Sequence, residues 1–300
     1  MIFHQDSYER HGDWYNKHYP TIETKIKFYD NAHSKGILTI NKWLQNILYS
    51  CINPLLIENP TTWLTVGDAY GLDAQHINNN GGDAIASDLQ TDFLAIAMQE
   101  GIITNYAAQN AENLTYLDNE LDYILCKEAY HHFPRPYAAL YEMIRVAKKG
   151  IILIEPQDPV SKMPILLCVT NLFSGSPKLL NKFWKNRFSY ETVGNFVYKV
   201  SEREFEKFAA ALNLPLLAFK AINPNFYDEK IAGLKADNTN KQFKIIKIKK
   251  QILDCLVKFK ILPGQVLSSI IFKKLPSETV IQQLKIEGYK LIYVPVNPYL

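Results

Sequence analysis

The chain has 300 residues, 47% hydrophobic and 21% charged, with a formal net charge of +3. That composition can bury the core of one large α/β domain or two small ones, and its positive charge is too small to mark a polyanion-binding protein unless it gathers on one face. The four cysteines, Cys51, Cys126, Cys168 and Cys255, stand far apart with no CxxC and no neighbouring histidine pattern, so neither a disulfide framework nor a zinc site is expected and no metal is assigned.

Residues 1–13 lack the basic and apolar regions of a secretory signal, and the apolar stretches 37–57 and 163–173 fall below the roughly 18 uninterrupted residues of a membrane span. A cytoplasmic protein is expected. Residues 1–60 carry a helical pattern with Tyr8, Trp14, Tyr15 and Tyr19 crowded at the start, which predicts an N-terminal helical cap. From residue 61 the chain alternates short apolar runs with helical stretches, the signature of a parallel sheet with crossover helices. The strands are expected at 62–66, 84–87, weakly near Asn105, 121–125 and 151–154. A helix over 92–100 starts with Asp92 and stops at Gly101. A second, over 135–149, is expected to close on Lys148, Lys149 and a capping Gly150.

Residues 157–200 mix aromatics with Lys178, Lys182, Lys185 and Arg187 and read as a lid, in which Trp184, Phe188, Tyr190, Asn195, Phe196 and Tyr198 could enclose an acceptor, most of them serving as core. Ser201 and Glu204 form a capping box for a helix running to Leu214. Strands at 216–222 and 266–272 flank a lysine-rich run, 241–260, that predicts one buried and one solvated face. Residues 61–275 thus read as the main domain and 276–300 as an appended helix and tail.

The turn Val66-Gly67-Asp68-Ala69-Tyr70-Gly71-Leu72-Asp73 joins the first strand to a helix, where open α/β sheets bind nucleotides. Two glycines alone fit a tight structural turn as well as a ligand loop. Asp88, 21 positions after Gly67, ends the second strand where a carboxylate can accept hydrogen bonds from ribose hydroxyls, although it could simply cap its own turn.

Further on come Asn110-Ala111-Glu112-Asn113-Leu114, then Leu117-Asp118-Asn119-Glu120-Leu121-Asp122-Tyr123-Ile124, then Ala129-Tyr130-His131-His132-Phe133, and finally Arg145 to Gly150 before IILIEP. In order and spacing this series resembles the class I S-adenosylmethionine (SAM)-dependent methyltransferases of the type 11, ubiquinone-biosynthesis-like family. The resemblance covers about a third of the chain. It implies a Rossmann-like seven-stranded sheet of order 3-2-1-4-5-7-6 with strand 7 antiparallel, helices on both faces, and SAM as cofactor. By resemblance, Gly67, Asp68, Ala69 and Gly71 form the loop at the methionine and ribose end. Asp88 holds the ribose, Leu89 lies against adenine, Asn110 and Ala111 meet the adenine edge, and Cys126 opens the turn beside the methionine moiety. The family usually has an acidic residue where Thr65 stands and a glycine where Ala69 stands; Asp68 and Asp73 are expected to replace the missing charge.

Lys127, Glu128, His131 and His132 are the candidates for proton transfer, histidine first because its ordinary pKa of about 6.5 suits neutral pH. Each has a plain packing or solvent-facing alternative. The expected reaction is methylation of a small-molecule or glycan-type acceptor at oxygen or carbon. A nicotinamide-dependent oxidoreductase and a SAM-fold partner or regulator without catalysis are the alternatives. No nucleic-acid module is recognisable, and peripheral membrane contact stays open.

Overall fold

The computed structural model describes residues 3–32, 37–58, 60–184, 187–191 and 194–299; the expected lid residue Lys185 lies outside them. Four helices come first: α1 (Phe3–His18), α2 (Ile22–Ala32), α3 (Ile40–Tyr49) and α4 (Asn53–Leu56). The alternating part follows with β1 (Thr62–Val66), α5 (Leu72–Asn79), β2 (Asp83–Asp88), α6 (Asp92–Gln99), β3 (Tyr106–Ala108), β4 (Leu121–Lys127), α7 (Pro136–Val146) and β5 (Ala147–Pro156). Next are α8 (Pro164–Leu172), α9 (Pro177–Phe183), α10 (Glu202–Ala211), β6 (Leu216–Ile222), α11 (Glu229–Ala232), α12 (Lys241–Lys258), β7 (Val266–Phe272), α13 (Glu278–Ile286) and β8 (Lys290–Tyr293).

All eight strands form one sheet of order β3-β2-β1-β4-β5-β7-β6-β8. The first five strands pair in parallel, and β7 enters antiparallel to both β5 and β6. This is the expected order with one strand more. The appended tail holds β8, which pairs antiparallel with β6 from Leu216↔Tyr293 to Phe219↔Lys290. Four residues between Gly288 and Pro295 are too few to show a period of two in the sequence.

Two apolar layers fill the faces of the sheet. One gathers Leu55, Trp63, Ile77, Leu94, Val280 and Leu284; the other gathers Leu64, Leu140, Met143, Phe205 and Ile271. Each such side chain, fully buried, stabilises by about 1.5–3 kcal/mol. Ser201 caps α10 by accepting the Glu204 N–H, as its capping box requires. Gly101, at φ +68°, ends α6.

The helix after the fourth strand stops sooner than its sequence suggests. Val146 is its last residue, and Lys148, Lys149 and Gly150 belong to β5, not to a helical last turn. Strand pairing overrides the capping signal here, because Gly150 sits opposite Tyr123 of β4 and Phe272 of β7. A Cβ at position 150 would lie 2.7 Å from the Ile271 carbonyl oxygen, so only glycine lets β7 approach this closely.

The turn after β1 is held from inside. Gly71 occupies the N-cap of α5 at φ +70° and has no side chain to offer. The buried carboxylate of Asp68 does the capping in its place, accepting the N–H of Ala74 at 2.9 Å, the N–H of Asp73 at 3.3 Å and the Thr65 hydroxyl at 2.9 Å. Burial, with the charge of Asp73 adding to it, pushes the Asp68 carboxyl up to about 7.

Two measurements test these constraints. Gly150→Ala is expected to lower unfolding stability by about 1–3 kcal/mol through the β5–β7 clash, and an unchanged denaturation midpoint would contradict that packing. For Asp68, the folded state binds its proton more tightly than the unfolded chain, where it titrates near about 3.9, so ionising it costs stability as pH rises from about 4 to about 7. Asp68→Asn keeps an acceptor for the amides and has no proton to lose. The variant is expected to gain on the wild type over that window, by up to about 1.4 kcal/mol per pH unit; a stability difference independent of pH contradicts this.

Candidate active site

At the carboxyl ends of β1, β2, β3 and β4 lies a cavity of about 1370 Å³, lined from these strand ends by Gly67, Asp68, Ala69, Asp88, Leu89, Asn110, Ala111, Lys127 and Glu128. Parallel strands leave their carboxyl-end loops on one edge, which is why segments far apart in sequence meet here. Gly67, at φ +73°, turns the chain where a Cβ would strike Ala129 at 2.4 Å. Gly71 and Cys126 stand one layer behind the wall. The first packs against Ile103 and Leu94, and the second has no solvent access.

Asp88 carries the chemistry that a ribose requires. Its Oδ1 accepts the Gln90 N–H at 2.9 Å, and no cation pairs with it among the described residues. Burial pushes its carboxyl up to about 6, against the pull of the Gln90 and Leu89 N–H groups. A carboxylate so enclosed gains from any hydroxyl donor that reaches it. Leu89 is partly exposed toward the cavity, and Asn110 Oδ1 already accepts the Glu112 N–H at 2.9 Å. Ala111 beside it is buried and borders the cavity.

Asp68 and Asp73 do not supply a free charge in place of the acidic residue absent at Thr65. Asp68 is turned into the N-terminus of α5, and Asp73 lies 3.2 Å from Lys127 Nζ while accepting the Tyr49 hydroxyl at 3.1 Å. Burial opposes charge on Lys127, but Asp73, Glu128 and Asp68 outweigh it and raise its pKa. These acids favour the charged form of Lys127. Glu128, at φ +52°, sits in a backbone conformation that costs a non-glycine residue about 1–3 kcal/mol and that clusters at functional turns.

The two histidines of the turn face different ways. Glu155, fully buried on β5, accepts the N–H groups of Ala129 at 3.0 Å and Tyr130 at 2.9 Å with one oxygen, and its other oxygen lies 2.6 Å from His131 Nδ1. Burial opposes protonation of His131, but this partner outweighs it and raises its pKa. His131 is thus locked against the sheet and does not line the cavity. His132 does, with its Nδ1 2.6 Å from Glu191 Oε1 and its ring 5.6 Å from that of His11. Burial and the neighbouring His132 lower the pKa of His11. For Glu191, burial is outweighed by the surrounding histidines, which hold its carboxyl below the usual range.

His131, His132 and Glu191 place ligand-type atoms within 4.8 Å of one another, the one such group among the described residues. His132 Nδ1 is buried and, despite its closeness to Glu191, makes no hydrogen bond among the described residues.

Sequence patterns predicted a cap over residues 1–60 but not which of its side chains close the cavity, and they gave no sign of the far wall. Helix α1 closes the cofactor side: Tyr8 donates to Glu112 Oε2 at 2.6 Å, and Ser7 donates to Asn195 Oδ1 at 2.8 Å. Asn195 in turn donates to the His132 carbonyl at 2.9 Å. Of the expected enclosing lid residues, Asn195 reaches the cavity, whereas Phe188, Tyr190 and Phe196 are exposed outside it and Tyr198 bonds to Glu204. The aromatic crowding near the N-terminus was the one signal for the roof. Glu155 lies within the IILIEP run, which gave it no role, and Glu191 stands in no motif that marks it.

The comparisons with known proteins fit this geometry. Residues 64–154 match the family model for a methyltransferase domain. No curated protein matches the sequence. Among solved structures, the chain is similar to a SAM-dependent methyltransferase from Archaeoglobus fulgidus, at 16% identity and a TM-score of 0.46 over 76% of this chain and 94% of that one. It is similar to the Burkholderia thailandensis 1,6-didemethyltoxoflavin-N1-methyltransferase with bound S-adenosylhomocysteine, at 12% identity and 0.48 over 78% and 80%. It is also similar to the [4+2]-cyclase SpnF, at 15% identity and 0.47 over 75% and 80%. Residues 64–154 thus match a methyltransferase domain, and the sheet around them has the strand order that the resemblance implied.

Proposed function

We propose that the chain is an enzyme that transfers a methyl group from SAM to oxygen or carbon of a small-molecule or glycan-type acceptor. The observation that carries this reading is the size and continuity of the cavity. Ligand pockets run to about 300–1000 Å³, and this one, at about 1370 Å³, continues past the cofactor turns to Gln45 and Tyr49 of α3 and to Asn225, Tyr227 and Glu229 beyond β6. It has room for a cofactor and a second molecule, and the far arm offers amide, phenol and carboxylate groups that suit a hydroxyl-bearing acceptor.

SAM supplies a methyl group on a sulfonium, ready for in-line displacement. The chain's own residues bind, position and deprotonate. Asp88 accepts the ribose hydroxyls, Leu89 and Ala111 pack the adenine, Asn110 borders its edge, and Gly67 lets backbone approach the methionine end. Lys127 and Asp73 form a neutral pair in the floor of the cavity. Holding two reactants in line supplies much of the rate in such a reaction, and an oxygen or carbon acid must also lose a proton. Among the four candidates, His132 suits that step best, because its ring reaches the cavity. We assign His131 the positioning of the turn, residues 1–60 the role of cap, and 157–200 the acceptor lid of a 61–275 methyltransferase domain, with 276–300 appended.

Titration calorimetry tests the cofactor half: SAM is expected to bind and NAD not to, and Asp88→Ala to weaken SAM at least about tenfold, the loss of charged hydrogen bonds worth about 1.5–3 kcal/mol. Binding of NAD in preference to SAM would overturn the reading. The transfer half needs an acceptor, found by following radiolabelled methyl from SAM into fractionated metabolites. With it, His132→Ala is expected to cut kcat by about 10²–10⁴-fold and to leave SAM affinity within about twofold. Undiminished turnover would remove His132 as the base.

A further inference from the structure

Helix α12 breaks the expected pattern of one buried and one solvated face. Its inner side, Phe243 and Ile246, packs on Ile40 and Leu44 of α3. Its outer side carries a second apolar stripe, Ile245, Ile248, Ile252, Cys255 and Phe259, at the alternating spacing of three and four that keeps residues on one helical face. The stripe lies in the open, with Ile248 and Ile252 each 56% exposed and Phe259 68% exposed. Between residues 241 and 260 stand seven lysines and a single acid, Asp254, which pairs with Lys250. Among the described residues, the other six lysines form no ion pair.

The charges decide which occupant fits. A second copy of α12 would set lysines beside lysines in either orientation. A nucleic acid would engage the lysines and leave the isoleucines in water. An anionic bilayer surface takes both, burying the apolar stripe at the acyl boundary while the lysines meet the headgroups.

An independent segment has the same character. Helix α8 has no buried residue and exposes Ile165 and Leu172 at 80% and 73%. From residue 164 to 190 the sequence holds no acid and four cations, and Phe183 and Phe188 are exposed among them. No helix of the described residues is long and apolar enough to cross a membrane, so the contact is one of helices lying on the surface.

We propose that this protein docks on anionic phospholipid bilayers through the outer stripe of α12, with the α8–α9 hairpin as a second point of contact. The inference goes beyond the methyl-transfer reading and does not depend on it. Its test is cosedimentation of the full chain with vesicles of phosphatidylcholine alone or mixed with phosphatidylglycerol. Binding is expected to be at least about tenfold tighter to the mixed vesicles and to weaken in about 0.5 M salt. The double variant Ile248→Ser, Ile252→Ser, altered only at exposed positions and checked for folding by circular dichroism, is expected to lose at least about tenfold in binding. Lys244→Glu with Lys249→Glu is expected to abolish the preference for phosphatidylglycerol. Failure to bind the mixed vesicles, or binding that survives the serine substitutions, overturns the proposal. So does a dimer that those substitutions dissolve, or duplex DNA binding tighter than vesicle binding.

Discussion

A carboxylate with no access to solvent organises the chemical edge of this sheet. Burying such a group is costly unless its oxygens are fully engaged, and Glu155 is engaged by two backbone N–H groups and an imidazole, all from the turn after β4. The turn cannot move without stranding that charge. Because β5 and β4 pair in parallel register, with Lys127 beside Ile154, the strand that carries Glu155 also fixes where Lys127, Glu128 and His132 stand. Asp68 does the same for the turn after β1 by capping α5. Two buried acidic side chains thus hold two of the loops that line the cavity.

Above this floor the cavity is closed by polar bonds between segments distant in sequence. Ser7 of α1, Asn195 of the lid and the His132 carbonyl form one continuous chain of hydrogen bonds, and Tyr8 joins Glu112, which also accepts the Arg135 N–H. Helix α1, the segment around Asn195 and the turn after β4 are therefore joined.

The sheet was legible because each strand advertises itself locally: TWLTV and VLSSIIF are β-branched runs bounded by turn residues, and the helix start at Ser201 is a short-range signal. Gly150 misled because its meaning is set by β7, more than a hundred residues away, and not by the lysines beside it. β8 is hidden by its brevity. In the site, Asp88 and Ala111 could be placed from spacing and resemblance, since parallel strand ends converge wherever the order is known. What sequence could not settle was direction. His131 and His132 are chemically identical neighbours, and only the buried partner of one separates the pair. That Asp68 caps α5 while lining the cavity was not visible in the motif, and Glu191 acquires meaning only through the fold of the segment that bears it. The outer stripe of α12 was visible as periodicity, but not as an exposed surface.

The central claim is that one cavity receives the cofactor between Asp88, the Asn110-Ala111 corner and the Gly67 turn. Difference electron density from crystals grown with S-adenosylhomocysteine tests it most directly. The account expects the ribose within hydrogen-bonding reach of Asp88, the adenine between Leu89 and Ala111, and the sulfur on the His132 side of the Gly67 turn. Density for the molecule in another part of the chain, or its adenine and sulfur exchanged end for end in this cavity, would contradict it.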